Sequence, residues 1–187
     1  MHRRAPVVPV AAATLALLGS VLMGVAAAAP AAAAADGPGR FAQAQVGLDY
    51  TVYRPTTTLG LKRSSFQLFA CGTGDESISA DYGSQTARTS RWIGLAESAR
   101  PCEDGPDGVA TATTFRVRGA TATVAGDCPG QMSTCTGSRT SVRRGAYTTV
   151  TLPSGGDGLS STFVEVYTQA ITLKQLKAFV RGLVPVQ

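Results

Sequence analysis

Histidine is almost absent from this chain, and that absence excludes most enzyme chemistry at once. The one histidine is His2; there is no asparagine, there are only three lysines, and Trp92 is the single tryptophan. Once His2 is assigned to a leader, the remainder cannot build a Ser-His-Asp or Cys-His site, or a histidine-ligated metal centre. No G-x-S-x-G elbow and no Ser-x-x-Lys pair occurs, so two further acylating chemistries are missing. No C-x-x-C occurs either, which removes the thioredoxin type of redox motif. The lone G-x-G in "CGTGDES" lacks a P-loop or dinucleotide pattern around it and reads as a turn between strands.

The first 35 residues read as a leader. His2, Arg3 and Arg4 precede the apolar run "APVVPVAAATLALLGSVLMGVAAAA", and "PAAAAADG" follows with small residues suited to cleavage. Cleavage is expected after Ala35, within about three residues. The alternative is an uncleaved anchor, since the run is long enough to span a bilayer; its alanine content, Pro9 and the adjoining cleavage site favour a signal peptide. Removing residues 1–35 from 187 leaves 152, one domain's worth, so residues 36–187 are expected to form a single secreted β-rich domain. The leader takes two of the 17 basic residues and none of the 12 acidic ones, so the net charge falls from +5 to +3. That balance argues for no particular partner. The Ala, Gly, Arg and Pro content suits a GC-rich bacterial genome of the actinobacterial type.

Four cysteines remain: Cys71, Cys102, Cys128 and Cys135. An even count in an exported chain reads as two disulfides, with three pairings possible. Cys71–Cys102 with Cys128–Cys135 closes shorter loops than the crossed pairings and is preferred. The spacings lack the paired C-x2–4-C pattern of zinc sites.

Alternation dominates the rest. "QVGLDYTVYRP" places Val46, Leu48, Tyr50 and Val52 on one face and reads as a first strand. "SSFQLFAC", "ESISADYG" and "SRWIGLAES" follow as strands. The loop "SARPCEDGPDG" divides the halves, and then "TTFRVRGATATVAGDC" reads as a hairpin turning at Gly119. "GAYTTVTL" and "STFVEVYTQ" add two more strands. One helix is expected, over "ITLKQLKAFVRGLVP": Thr172 and Gln175 form a capping-box pattern, and Leu173, Leu176, Phe179, Val180 and Leu183 form its apolar stripe. The fold class is therefore α+β: a curved antiparallel sheet of about seven or eight strands, one C-terminal helix packed on it, and two disulfides.

In "FRVRGATATV", "GAYTTVTL" and "STFVEVYTQAITLKQLKAFVRGLVP" the order of parts resembles secreted and periplasmic half-barrel domains. These include lipoprotein-carrier-like folds and the extracytoplasmic domains of some anti-sigma regulators. "DYTVYRPTTTLGL" is also similar to the "P-v-Y-x-P-x-x-L-P" opening of such domains, with Tyr50-Thr51 where their first proline stands. The resemblance implies a curved sheet with a helix near its concave side, binding an apolar ligand or a protein. It brings no catalytic residue.

The expected function is a secreted, non-enzymatic binding or interaction domain, with an unknown protein or an apolar small molecule as partner. No catalytic, metal or cofactor residue is assigned, nucleic acid is not expected as a partner, and membrane contact is not expected after cleavage. One alternative is a protease inhibitor presenting the loop Pro129, Gly130, Gln131 and Met132 between Cys128 and Cys135, where a tied loop would contribute preorganisation. The other is a carboxylate-dependent hydrolase using Asp75/Glu76 or the group Glu97, Glu103, Asp104 and Asp107. "EDGPDG" reads instead as a solvated acidic loop and lacks the ligand order of a calcium site. Arg139, Arg143 and Arg144, with Arg116 and Arg118, read as solvent-facing strand and loop residues.

Overall fold

The computed structural model describes residues 39–72, 74–102, 110–126 and 138–186, all within the unit Ala34–Gln187. Period-two alternation sorts its strands. In β3 (Glu76–Gly83), Ile78, Ala80 and Tyr82 are buried on one side while Ser79 and Asp81 face the other. The same alternation is clean in β5 (Thr111–Val117) and β8 (Thr162–Gln169), is interrupted by buried outward positions in β4 (Trp92–Ser98), β6 (Ala120–Gly126) and β7 (Ala146–Leu152), and is absent from β2 (Arg63–Ala70), which has no buried residue. These seven strands form one antiparallel sheet in the order β2-β3-β4-β8-β7-β6-β5. It is two meanders, β2-β3-β4 and β5-β6-β7-β8, joined where β4 pairs with β8 over Trp92↔Gln169 to Ser98↔Phe163. The β5–β6 turn has Arg118 at φ 48° and Gly119 at φ 81°, the left-handed pair that a tight hairpin with right-twisted strands needs.

The face carrying Ile78, Ile93, Leu95, Val124, Val150, Val164 and Val166 is the packed one. Helix α2 (Leu173–Arg181) lays Leu176, Phe179 and Val180 there, with Phe179 edge-on to Tyr82 at 6.0 Å. Its start is fixed as the capping box requires: Thr172 Oγ1 accepts from Gln175 N–H (3.3 Å), and Thr172 N–H donates to Gln175 Oε1 (3.0 Å). After α2, β9 (Leu183–Pro185) returns to pair with β1 (Tyr53–Pro55) in a separate two-stranded ribbon. A 3-10 helix, Arg139–Arg143, closes one end of the core through Val142.

Two expectations need correction, and a third is met in part. Two α-helices are present among the described residues, not one, because α1 (Gly39–Gln45) precedes the sheet and sets Phe41 edge-on against Phe66 at 5.0 Å. The expected strand from Gln45 does not form: Val46 is 85% exposed, while Leu48, Tyr50, Thr51, Val52 and Tyr53 are all buried. This segment lies inside the core rather than on a half-buried ladder, so its backbone is satisfied partly by the backbone of Ser160 and Val186 and partly by side chains. Gln45 does so twice, donating to the Tyr50 carbonyl (2.9 Å) and accepting from Val52 N–H (2.7 Å). Among the described residues one of the two expected disulfides is present, Cys71–Cys102, joining the end of β2 to the chain after β4. Cys128 and Cys135 lie outside the described residues.

Candidate functional site

The outward positions of the central strands carry a row of aromatic rings. Register places Asp81 (β3), Gly94 (β4), Tyr167 (β8) and Tyr147 (β7) side by side across four strands. Gly94 leaves room for its neighbour. A Cβ there would sit 2.6 Å from Cζ2 of Trp92, so the indole lies down over the Gly94 backbone only because glycine is present. Trp92, Tyr167 and Tyr147 thus follow one another over β4, β8 and β7, spanning roughly 10 Å at the usual strand spacing. The two tyrosine rings are 4.9 Å apart and tilted by 39°.

Carboxylates flank the row. Glu165, one position along β8, accepts hydrogen bonds at Oε1 from the hydroxyls of Tyr147 and Tyr167, the second at 3.3 Å. Burial, and then the hydrogen bond and charge of Glu165, hold the Tyr147 hydroxyl above its ordinary pKa, so it stays a donor. Asp81 accepts from Ser65 Oγ (2.6 Å) beyond the other end of the row. Gln169 donates to the carbonyls of Ala87 (2.6 Å) and Ser90 (3.1 Å), fixing the loop beside Trp92. Trp92, Phe163, Glu165 and Tyr167 remain partly exposed. Both described helices touch the opposite face through Phe66, Tyr82 and Phe115.

Glu97 points the other way. It is fully buried among the residues that link the first segment to the sheet. Its Oε2 accepts from Tyr53 N–H (2.9 Å), its carbonyl accepts from Tyr50 Oη (3.0 Å), and Oε1 has no partner among the described residues. Burial pushes its pKa up to about 8 against the opposing Tyr53 hydrogen bond. Tyr50 is raised as well, by burial and then by Glu97.

The sequence-derived candidates are therefore dispersed. Glu97 is a core strut and not part of an acidic loop; Glu103, Asp104 and Asp107 lie outside the described residues. Asp75 pairs with Arg100 at 2.6 Å on the surface. The loop residues Pro129, Gly130, Gln131 and Met132 also lie outside the described residues. No group of three or more His, Cys, Asp or Glu suited to a metal is present among the described residues, and no described helix is long and apolar enough to cross a membrane. The aromatic row was missed in the sequence, although its signal was there: in "STFVEVYTQ" the positions between the core valines are Phe163, Glu165, Tyr167 and Gln169, aromatic and polar rather than uniformly charged.

Compared with protein-family models, curated proteins and solved structures, the chain matches none.

Proposed function

We propose that this chain is an exported, non-enzymatic binding domain that recognises a neutral sugar chain on the outer face of its seven-stranded sheet. The observation that carries the reading is the partly exposed pair Trp92 and Tyr167, backed by the buried Tyr147 ring and bordered by Glu165 and Asp81. Flat rings with polar groups at their edges suit a ligand that has apolar ring faces and hydroxyl rims. The inner face is occupied by α1, α2 and residues 48–53, which moves recognition from an apolar cavity to the surface. Export rests on the leader at residues 1–35 with cleavage after Ala35, and the order of sheet and helix that resembles half-barrel binding domains fits the same reading.

The second disulfide, Cys128–Cys135, belongs to this proposal. β6 ends at Gly126 beside β7, where Ala125 pairs with Tyr147, and the stretch with Pro129, Gly130, Gln131 and Met132 follows directly in sequence. A recognition loop tied there would begin next to the aromatic row.

Trp92 is the only tryptophan, so its fluorescence reports binding directly. Titration with a panel of soluble neutral polysaccharides should change its emission for at least one of them. The variant Y167A should weaken that binding by about tenfold, roughly 1.4 kcal/mol, with an unchanged circular dichroism spectrum. A panel with no responding glycan, or Y167A binding as tightly as the native chain, would overturn the reading.

A further inference from the structure

Three basic stretches that are far apart in sequence meet around β5. Lys174, Lys177 and Arg181 recur at helical spacing along α2. Lys177 Nζ and Arg181 Cζ each stand 5.5 Å from the ring centre of Phe115 in β5. Arg116, also on β5, faces the other side of this edge strand from Phe115, where its Nη1 donates to Thr121 Oγ1 (2.8 Å), so it borders the cluster; Arg118 sits in the hairpin turn, where Nε donates to the Leu183 carbonyl (2.7 Å) just beyond α2. Arg139 of the 3-10 helix donates to the Ala112 carbonyl of β5 (3.4 Å). Helix α2, the 3-10 helix and β5 each contact the other two.

Among the described residues no acid balances this cluster. Residues 110–126, 138–152 and 170–186 contain no Asp or Glu at all. The described acids lie elsewhere: Asp75, Glu76, Asp81, Glu97 and Glu165 on or beside β3, β4 and β8, and Asp49 and Asp157 in loops. None of the six cations forms an ion pair with a described residue. β5 is also the edge strand of the sheet. One or two charges on β5 would suffice to discourage edge pairing, which does not account for the basic side of α2.

We propose that this cluster is a second binding site, for a linear polyanion bearing closely spaced phosphate or sulfate groups. Arginine forks match tetrahedral oxyanions, and contiguous uncompensated charge attracts a chain of them. The surroundings narrow the class. The Phe115 ring is only 7% exposed beneath its cations, so no open ring is available to stack a base. Among the described residues the exposed large apolar ones are Val46, beside α1, and Leu68, on the opposite edge strand β2, so the described part of the basic cluster has no apolar wedge for entering a bilayer.

Long-chain inorganic polyphosphate is the probe, measured by calorimetry over a series of salt concentrations. The native chain should bind with log K falling linearly in log salt, and K174Q/K177Q/R181Q should bind about tenfold or more weakly with a slope shallower by about two. R40Q/R88Q, which removes two exposed cations elsewhere, should bind as the native chain does. Melting curves of both variants verify folding. Absence of polyphosphate binding at low salt would overturn the proposal. So would equal losses in the two variants, or binding to phosphatidylglycerol vesicles without binding to polyphosphate, which would assign the patch to a membrane surface.

Discussion

Along β4, the inward positions run Ile93, Leu95, Glu97, so a carboxyl group takes the place where an aliphatic side chain would continue the core. It remains there because Tyr53 N–H needs an acceptor that no β ladder supplies, and Oε2 is that acceptor. With its pKa pushed from 4.5 up to about 8, Glu97 holds a proton in the folded chain that it releases in the unfolded one between those values. The folded state then binds more protons than the unfolded state, so stability is full below pH 4.5 and is lost as pH rises towards 8. One such group changes stability by up to about 1.4 kcal/mol per pH unit within that window. Glu97→Gln keeps the acceptor for Tyr53 and removes the titration. Urea unfolding at several pH values should show the native chain weakening from acid to neutral pH relative to E97Q. Parallel stability profiles for the two proteins would show that Glu97 does not titrate in this way.

Helix α2 owes its position to packing and its starting point to Thr172 and Gln175. Thr172→Ala removes the side-chain acceptor for Gln175 N–H and one half of the box, and should destabilise the protein by about 1 kcal/mol in urea unfolding. A loss below about 0.3 kcal/mol would mean that packing alone sets the helix start. This element was legible because its cap and stripe are local patterns, and the β5–β6 hairpin was legible for the same reason. Helix α1 was not. Its seven residues offer only Phe41 and Ala44 to the core, and what holds it is Phe66, 25 positions away, together with the two Gln45 hydrogen bonds. The three-residue strands β1 and β9 pair Tyr53 with Pro185 across almost the whole described chain, which no local period can announce. At the site, the alternation of β4 and β8 carries the signal that sets Trp92, Glu165 and Tyr167 opposite Ile93, Val164 and Val166, although the row itself was missed. Which face the helices would cover was not legible, because the choice is made by long-range packing.

At the scale of the molecule, the two meanders meet along one seam, β4 with β8, and the chain ends lock across the structure through β1 and β9. Further ties bind the opening segment: Tyr50 Oη to the Glu97 carbonyl, and Ser160 paired with Tyr50 and Thr51. The first meander has no such support at its free edge, since β2 pairs only with β3. The disulfide supplies it there, tying Cys71 at the end of β2 to Cys102 beyond β4 across the intervening β3 and β4. Ser77 at the start of β3 lies against both sulfur atoms, with its hydroxyl 3.3 Å from Cys102 Sγ. Closing a separation of 31 residues restricts the unfolded chain enough to stabilise the fold by about 3–4 kcal/mol in the chain-entropy account. The paired variant Cys71→Ser/Cys102→Ser should therefore unfold at lower urea by that amount. Amide exchange should rise first in β2 and β3 and least at the β4–β8 seam, because the released loop joins the edge of one meander and not the joint between the two. Uniform acceleration across all seven strands would show instead that the sheet unfolds as a single unit, with the disulfide acting on it as a whole.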